Sequence, residues 1–342
     1  MGKFKKIFLV LLIVVLAGSL IGCGKSETTQ GQGQKDSASQ NTEKIVLKFG
    51  HLADENNTWH KAALKFKELV EKNSNGKIEV RVYPNEQLGK EKDLVTSIQT
   101  GTADIGIFGE TLTTFGANKT IMMAVPYLLR DSAHLHAVAG GEIGKEIEQQ
   151  IIDKVQLRPI AYFERGPREL TSNRPITKPE DLKGLKLRLP NVPLFIKTWE
   201  ALGAKPVPMA FSEVFTSLQQ GTIEAQENPY ALINSAKFYE VQKYLDKTDH
   251  VLSWIYVCIG EKRFQSLSPE LQKVILEAAK EMQKYENELF KSEEGQLEKL
   301  LREKMTFVEV DKAAFQAKAQ EAVLANLDEE QKALYNKIVT LK

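Results

Sequence analysis

The side chains able to do covalent or metal chemistry are scattered along this sequence rather than assembled. His51, His60, His134, His136 and His250 show no metal-ligand spacing, and His134 and His136, two apart on a helical stretch, would face different sides. The chain holds no H-E-x-x-H, no G-x-S-x-G, no G-x-x-x-x-G-K-S/T and no C-x-x-C. Its two cysteines, Cys23 and Cys258, make neither a disulfide scaffold nor a multi-cysteine metal site, and Cys258, inside the apolar run Ile255 to Ile259, reads as a buried structural thiol. Neither an enzyme nor a cofactor is indicated. What remains is binding chemistry. Arg188 lies in Leu185-Lys186-Leu187-Arg188-Leu189, where leucines alternate with cations. A guanidinium offers parallel donors to both oxygens of a carboxylate and stays charged. By itself, that pattern leaves Arg188 either aimed into a cleft or solvated on a strand face.

The surrounding elements read as alternating strands and helices. Ile45 to Gly50 is a strand, and Thr58 to Lys72 a helix with its apolar stripe at Ala62, Phe66, Leu69 and Val70, capped by Asn57 or Thr58. Lys77 to Tyr83 is a half-buried strand, Lys90 to Gln99 a helix and Asp104 to Phe108 a short strand, the order of an α/β domain with a mostly parallel sheet. A second unit starts near Gly166. It contains the Arg188 strand, a helix over Leu194 to Leu202 ended by Gly203, and a helix over Ser212 to Gln220 with Ser212 as its cap. Val251 to Ile259 reads as a strand returning to the first sheet. Pro269 to Lys304 is a long helix started by Ser268, Thr306 to Val310 a late strand, and two helices finish the chain.

With 342 residues, 42% hydrophobic and 27% charged, the chain is globular and long enough for two domains. Its formal charge of +1 gives no reason to expect nucleic acid. Lys3, Lys5 and Lys6 precede the unbroken apolar run Ile7 to Ala17, a signal-peptide pattern too short for a membrane span. Leu20-Ile21-Gly22-Cys23 resembles the bacterial lipobox, in which a peptidase cuts before a cysteine that carries lipid. Residues 24–43 are polar and without apolar period, a flexible tether. Removing residues 1–22 takes three lysines and no acid, leaving 43 cations against 45 anions, a charge of −2.

From about Ile45 to residue 304 the chain resembles the solute-binding proteins of tripartite ATP-independent periplasmic (TRAP) transporters, the DctP-type family. The resemblance is carried by Gly184-Leu185-Lys186-Leu187-Arg188-Leu189-Pro190, Tyr83-Pro84-Asn85-Glu86-Gln87-Leu88-Gly89, Thr171-Ser172-Asn173-Arg174, Pro208 to Val214, Gln226-Glu227-Asn228-Pro229 and Lys237 to Lys243. From Thr171 onward it is especially similar to the sialic-acid-binding members.

The resemblance implies a two-lobed clamp with a long helix spanning both lobes. One lobe would hold residues 44–165 plus 254–293 and the other 166–253 plus 294–342. A small organic acid would bind between them and pass to the membrane subunits of a TRAP permease. The protein would be a monomer outside the cytoplasm, held to the membrane by lipid on Cys23. Arg188, Arg168 and Asn228 match ligand-holding positions, Phe211 an aromatic cleft residue, and Glu110 and Glu91 acids of the first lobe. Glu227 and His250 match a polar pair near the hinge that would fix Arg168. Thr113 stands where the sialic-acid group carries arginine, and Leu52 where it carries asparagine. His51 and Trp59 would supply contacts in their place, although core packing is the more ordinary role of Trp59, and of Trp254. If the two glutamates face the cleft, they accept from hydroxyls and repel a second carboxylate. That favours a hexuronate or aldonate over sialic acid or a C4-dicarboxylate. A ligand-sensing receptor subunit would share the same clamp.

Overall fold

The computed structural model describes residues 44–341. The signal peptide, the lipidated Cys23 and the tether expected over 1–43 lie outside the described residues. In chain order the elements are β1 (Ile45–Gly50), α1 (Thr58–Asn73), β2 (Ile78–Tyr83), α2 (Glu91–Thr100), β3 (Ile105–Phe108), α3 (Ser132–Ala139), α4 (Glu142–Val155), β4 (Leu157–Ser172), β5 (Lys186–Leu189), α5 (Pro193–Leu202), β6 (Lys205–Pro208), α6 (Val214–Gln219), β7 (Ala225–Pro229), α7 (Tyr230–Ser235), β8 (Tyr244–Gly260), α8 (Glu261–Gln265), α9 (Pro269–Lys304), β9 (Thr306–Glu309), α10 (Lys312–Asn326) and α11 (Glu329–Thr340).

Local chemistry sets several of these boundaries. The Asn57 side chain accepts from Trp59 N–H at 3.0 Å and starts α1. Gly203, at φ 110°, ends α5 in the left-handed conformation. Ser268 Oγ accepts from Leu271 N–H, and Pro269 opens α9. One expected start is corrected. Ser212 does not cap a helix; residues Phe211–Glu213 form a 3-10 turn, in which the Glu213 carboxylate accepts from Ala210 N–H at 3.0 Å, and α6 begins only at Val214.

The nine strands among the described residues belong to one sheet, ordered β2-β1-β3-β8-β4-β7-β5-β6, with β9 on β8. The two long antiparallel strands β4 and β8 run through both halves. Leu157 to Glu164 of β4 pair with Trp254 to Gly260 of β8, which also borders β3. Pro167 to Ser172 pair with Tyr244 to Leu252, bordering β7 and β9. The chain crosses between halves at a β-bulge, where Arg165 and Gly166 of β4 stand against Ser253 alone. Gly166 has φ +70° there.

The strand expected over Val251 to Ile259 is therefore the second half of a longer one. Its apolar run is unbroken because both faces are covered: Trp254, Tyr256 and Cys258 enter one core cluster, and Ile255, Val257 and Ile259 another. Cys258 is fully buried, which pushes its thiol well above the ordinary value. Helix α9, about 54 Å long at 1.5 Å per residue, packs on α1, β4 and α7, elements of both halves. The C-terminal segment, expected wholly with the second lobe, touches both as well. Helix α10 packs on α5, while α11 packs near the first-half turn Asn118–Ala124, and Arg130 donates to the Leu341 carbonyl at 2.9 Å.

Candidate ligand-binding site

A cavity of about 310 Å³ lies outside the carboxyl ends of the parallel strands, between the halves. Leu52 follows β1, and Gly109, Glu110 and Thr111 follow β3. Lys90 and Glu91 begin α2, the bulge of β4 brings Arg165 and Arg168, and β5 and β7 bring Arg188 and Asn228.

Arg188 is 3% exposed, on the face of β5 opposite Leu187 and Leu189, as the alternation requires. Its Nε and Nη2 donate to the Met209 carbonyl at 3.1 and 2.7 Å, and its guanidinium lies 6.0 Å from the Phe211 ring centroid. Burial lowers its pKa to about 10, with Glu227 opposing and Arg168 adding to the drop. Among the described residues it has neither a carboxylate partner nor any partner for Nη1.

Arg168 is held differently. Its Nε donates to Glu227 Oε2, and its Nη2 to Glu227 Oε1 at 2.7 Å and to the Glu227 carbonyl at 2.8 Å. His250 Nε2 lies 3.0 Å from Glu227 Oε2, and its Nδ1 lies 2.8 Å from Thr248 Oγ1. Burial lowers the His250 pKa against the pull of Glu227, so the neutral imidazole donates to Glu227 and accepts from Thr248. Burial would raise Glu227, but Arg168 and then His250 hold it down at about 2. Glu227 thus contacts Arg168 and His250 at once. Asn228 Nδ2 donates to Gln226 Oε1 at 2.6 Å. Its Oδ1 has no partner among the described residues and is available to a hydroxyl.

The first-half wall departs from expectation. Glu110 lines the cavity already paired: Oε2 accepts from Arg165 Nη2, Oε1 has no partner among the described residues, and Arg165 Nε donates to Ser253 Oγ at 2.8 Å. Glu91 lines the cavity, pushed up to about 7 by burial and then by the Glu110 charge. His51, expected at the ligand, is not on the cavity wall. It is buried with Nε2 3.1 Å from His60 Nδ1, and burial, reinforced by His60, lowers its pKa to about 3. Trp59 does line the cavity although only 5% exposed, and Trp254 is fully interior. Thr113 turns to Thr120 Oγ1 at 2.8 Å.

Arg165, Glu86, Lys90 and Glu213 also line the cavity and were not singled out by sequence. Lys90 Nζ lies 2.7 Å from Glu213 Oε1 across the two halves. Among the described residues no cluster of three or more His, Cys, Asp or Glu could hold a metal, and no helix is long and apolar enough to cross a membrane.

Two α/β halves joined by shared strands, with a buried cation facing the cavity between them, define a clamp for a small anionic solute. The chain belongs to bacterial extracellular solute-binding protein family 7, DctP, whose model matches residues 49–330. It is 54% identical over 289 residues to a solute-binding protein of Roseobacter denitrificans, covering 84% of this chain and 89% of the relative. It is 37% identical over 246 residues to the 2,3-diketo-L-gulonate-binding periplasmic protein YiaO of Escherichia coli K12, covering 71% and 74%. A solved TRAP periplasmic solute-binding protein of R. denitrificans with bound L-galactonate matches with TM-score 0.85 and 52% identity over 87% of this chain and 99% of that one. The fold and family expected from sequence agree with these findings.

Proposed function

We propose that this protein captures a six-carbon sugar acid, an aldonate or hexuronate, between two closing lobes and delivers it to the membrane subunits of a TRAP permease. The carrying observation is that Arg188, nearly buried in the cavity, has no carboxylate partner among the described residues. Such a charge is costly unless a ligand anion pairs with it. The free Nη1 of Arg188 would take the ligand carboxylate, and Asn228 Oδ1, Glu86 and Glu91 would accept from hydroxyls. Similar structures carry L-galactonate and β-D-galacturonate, while one at 27% identity carries succinate. Lobes of 44–165 plus 254–293 and of 166–253 plus 294–342 would hinge at the bulge of β4. Lipid on Cys23 would hold the protein at the outer face of the cell membrane, a role that Cys23→Ser should abolish.

The test is a thermal-shift screen of the unlipidated mature chain, confirmed by calorimetry. The panel holds galactonate, gluconate, glucuronate, galacturonate, sialic acid, succinate and malate. A sugar acid at ~100 times its Kd should add about 2.7 kcal/mol of stability. Stabilisation by succinate or malate alone would hand the site to a dicarboxylate.

A further inference from the structure

Arg165 and Arg168 lie three apart on one strand, yet both line the cavity. Regular alternation would send them to opposite faces. The bulge resolves this: two residues of β4 oppose Ser253, the alternation slips by one, and the Arg165 side chain is re-aimed inward. Gly109 leaves it room, since a Cβ there would stand 3.3 Å from Arg165 Nη1. Ser253 fixes Nε, Glu110 fixes Nη2, and Nη1 has no partner among the described residues. The cavity thus holds a third guanidinium, 7% exposed, whose charge is met by one carboxylate.

We propose that Arg165 is a latent second anion subsite masked by Glu110, and that this masking makes the site select a monocarboxylate over a dicarboxylate of the same carbon chain. The inference rests on the sugar-acid reading above. A terminal hydroxyl can accept from Arg165 Nη1 and donate to Glu110, satisfying both members of the pair. A terminal carboxylate can only accept, and it meets the charge of Glu110 with Glu91 close behind. Selectivity here comes from the repulsive element as much as the attractive one. Neutralising Glu110 would leave Arg165 with a charge to share and donors to offer. Its fork would then suit the second carboxylate of an aldarate.

The probes are galactonate and galactarate, which differ only in the oxidation state of one terminal carbon. Calorimetry would give both affinities for the wild-type protein, Glu110→Gln, Arg165→Gln and the double variant. Wild type should prefer galactonate by about tenfold or more. Glu110→Gln should shift the ratio toward galactarate by about tenfold or more, and the double variant should lose that shift. An unchanged ratio in folded Glu110→Gln overturns the proposal, as does a shift that survives removal of Arg165. If melting shows that Glu110→Gln does not fold, Arg165→Gln decides. With Glu110 unmasked and unpaired it should weaken galactarate more than galactonate, and equal weakening overturns the proposal. Wild-type protein that binds no sugar acid overturns the sugar-acid reading and this inference with it, whereas galactonate binding with no shift in Glu110→Gln overturns this inference alone.

Discussion

Arg168 and Arg188 face one cavity under opposite electrostatic conditions: Arg168 is paired to the buried carboxylate of Glu227, while Arg188 donates to the Met209 carbonyl and has no carboxylate partner among the described residues. A protein carboxylate holds the first in place, and the second is left to a neutral oxygen. Pairing fixes a guanidinium in place, whereas an unpaired one would be open to a ligand anion.

Arg188→Ala should therefore lose ~2–5 kcal/mol of binding, the cost of truncating a buried charged hydrogen-bond partner. Arg188→Lys should also bind poorly, because an ammonium cannot reproduce the fork. Arg188→Met should raise the melting temperature of the ligand-free protein, since it removes an uncompensated buried charge while keeping much of the volume. Calorimetry for binding and a thermal melt without ligand check these outcomes. Near-normal affinity in the alanine variant would remove Arg188 from the site.

Much of this site was legible in the sequence, for reasons tied to regular geometry. The alternation of Leu185, Leu187 and Leu189 fixed which way Arg188 points, and the capping residues Asn57 and Ser268 marked their helices. Arg165 was not legible, because strand periodicity puts it on the face away from Arg168 and the bulge reverses that. The signal was present in Gly166-Pro167, residue types that within a strand mark a bulge, but it reads equally as a domain boundary. The first half of β8 was hidden by its polar residues. Asp246 is fully buried there, accepting from Ser172 Oγ at 2.7 Å and Ile176 N–H at 3.0 Å, so a charged letter occupies an interior strand position. The neighbourhood of His51 depends on His60, a contact that spacing alone does not reveal.

Lys90 and Glu213 form an ion pair between the start of α2 and the turn before α6, at the cavity rim. Both are about half exposed, so the pair would act as a latch on the closed form rather than as a source of fold stability. Lys90→Ala and Glu213→Ala should each weaken ligand binding slightly, mainly by faster dissociation. The loss should shrink as salt rises, and the double variant should be no worse than either single one. Stopped-flow release at low and high salt checks this, and additive losses would rule out a latch.

Glu286 gives the sharpest prediction for pH. It is fully buried on α9, where Oε1 accepts from Thr58 Oγ1 at 2.9 Å and Oε2 has no partner among the described residues. Burial, with Thr58 opposing and the charges of Glu164 and Glu293 adding to the rise, pushes its pKa from 4.5 to about 8. At neutral pH the folded protein therefore holds a proton that the unfolded chain releases. Between about pH 4.5 and 8 the folded state binds more protons, so this group's contribution makes stability fall as pH rises. The slope is at most about 1.4 kcal/mol per pH unit, and it levels off above the folded pKa. Glu286→Gln keeps an oxygen for Thr58 and carries no charge to bury. It should match the wild type at pH 5 and exceed its stability at pH 8, with the other buried carboxylates common to both proteins. Urea denaturation of the two at pH 5 and pH 8 measures the difference, and parallel changes with pH would show that Glu286 titrates normally in the folded protein.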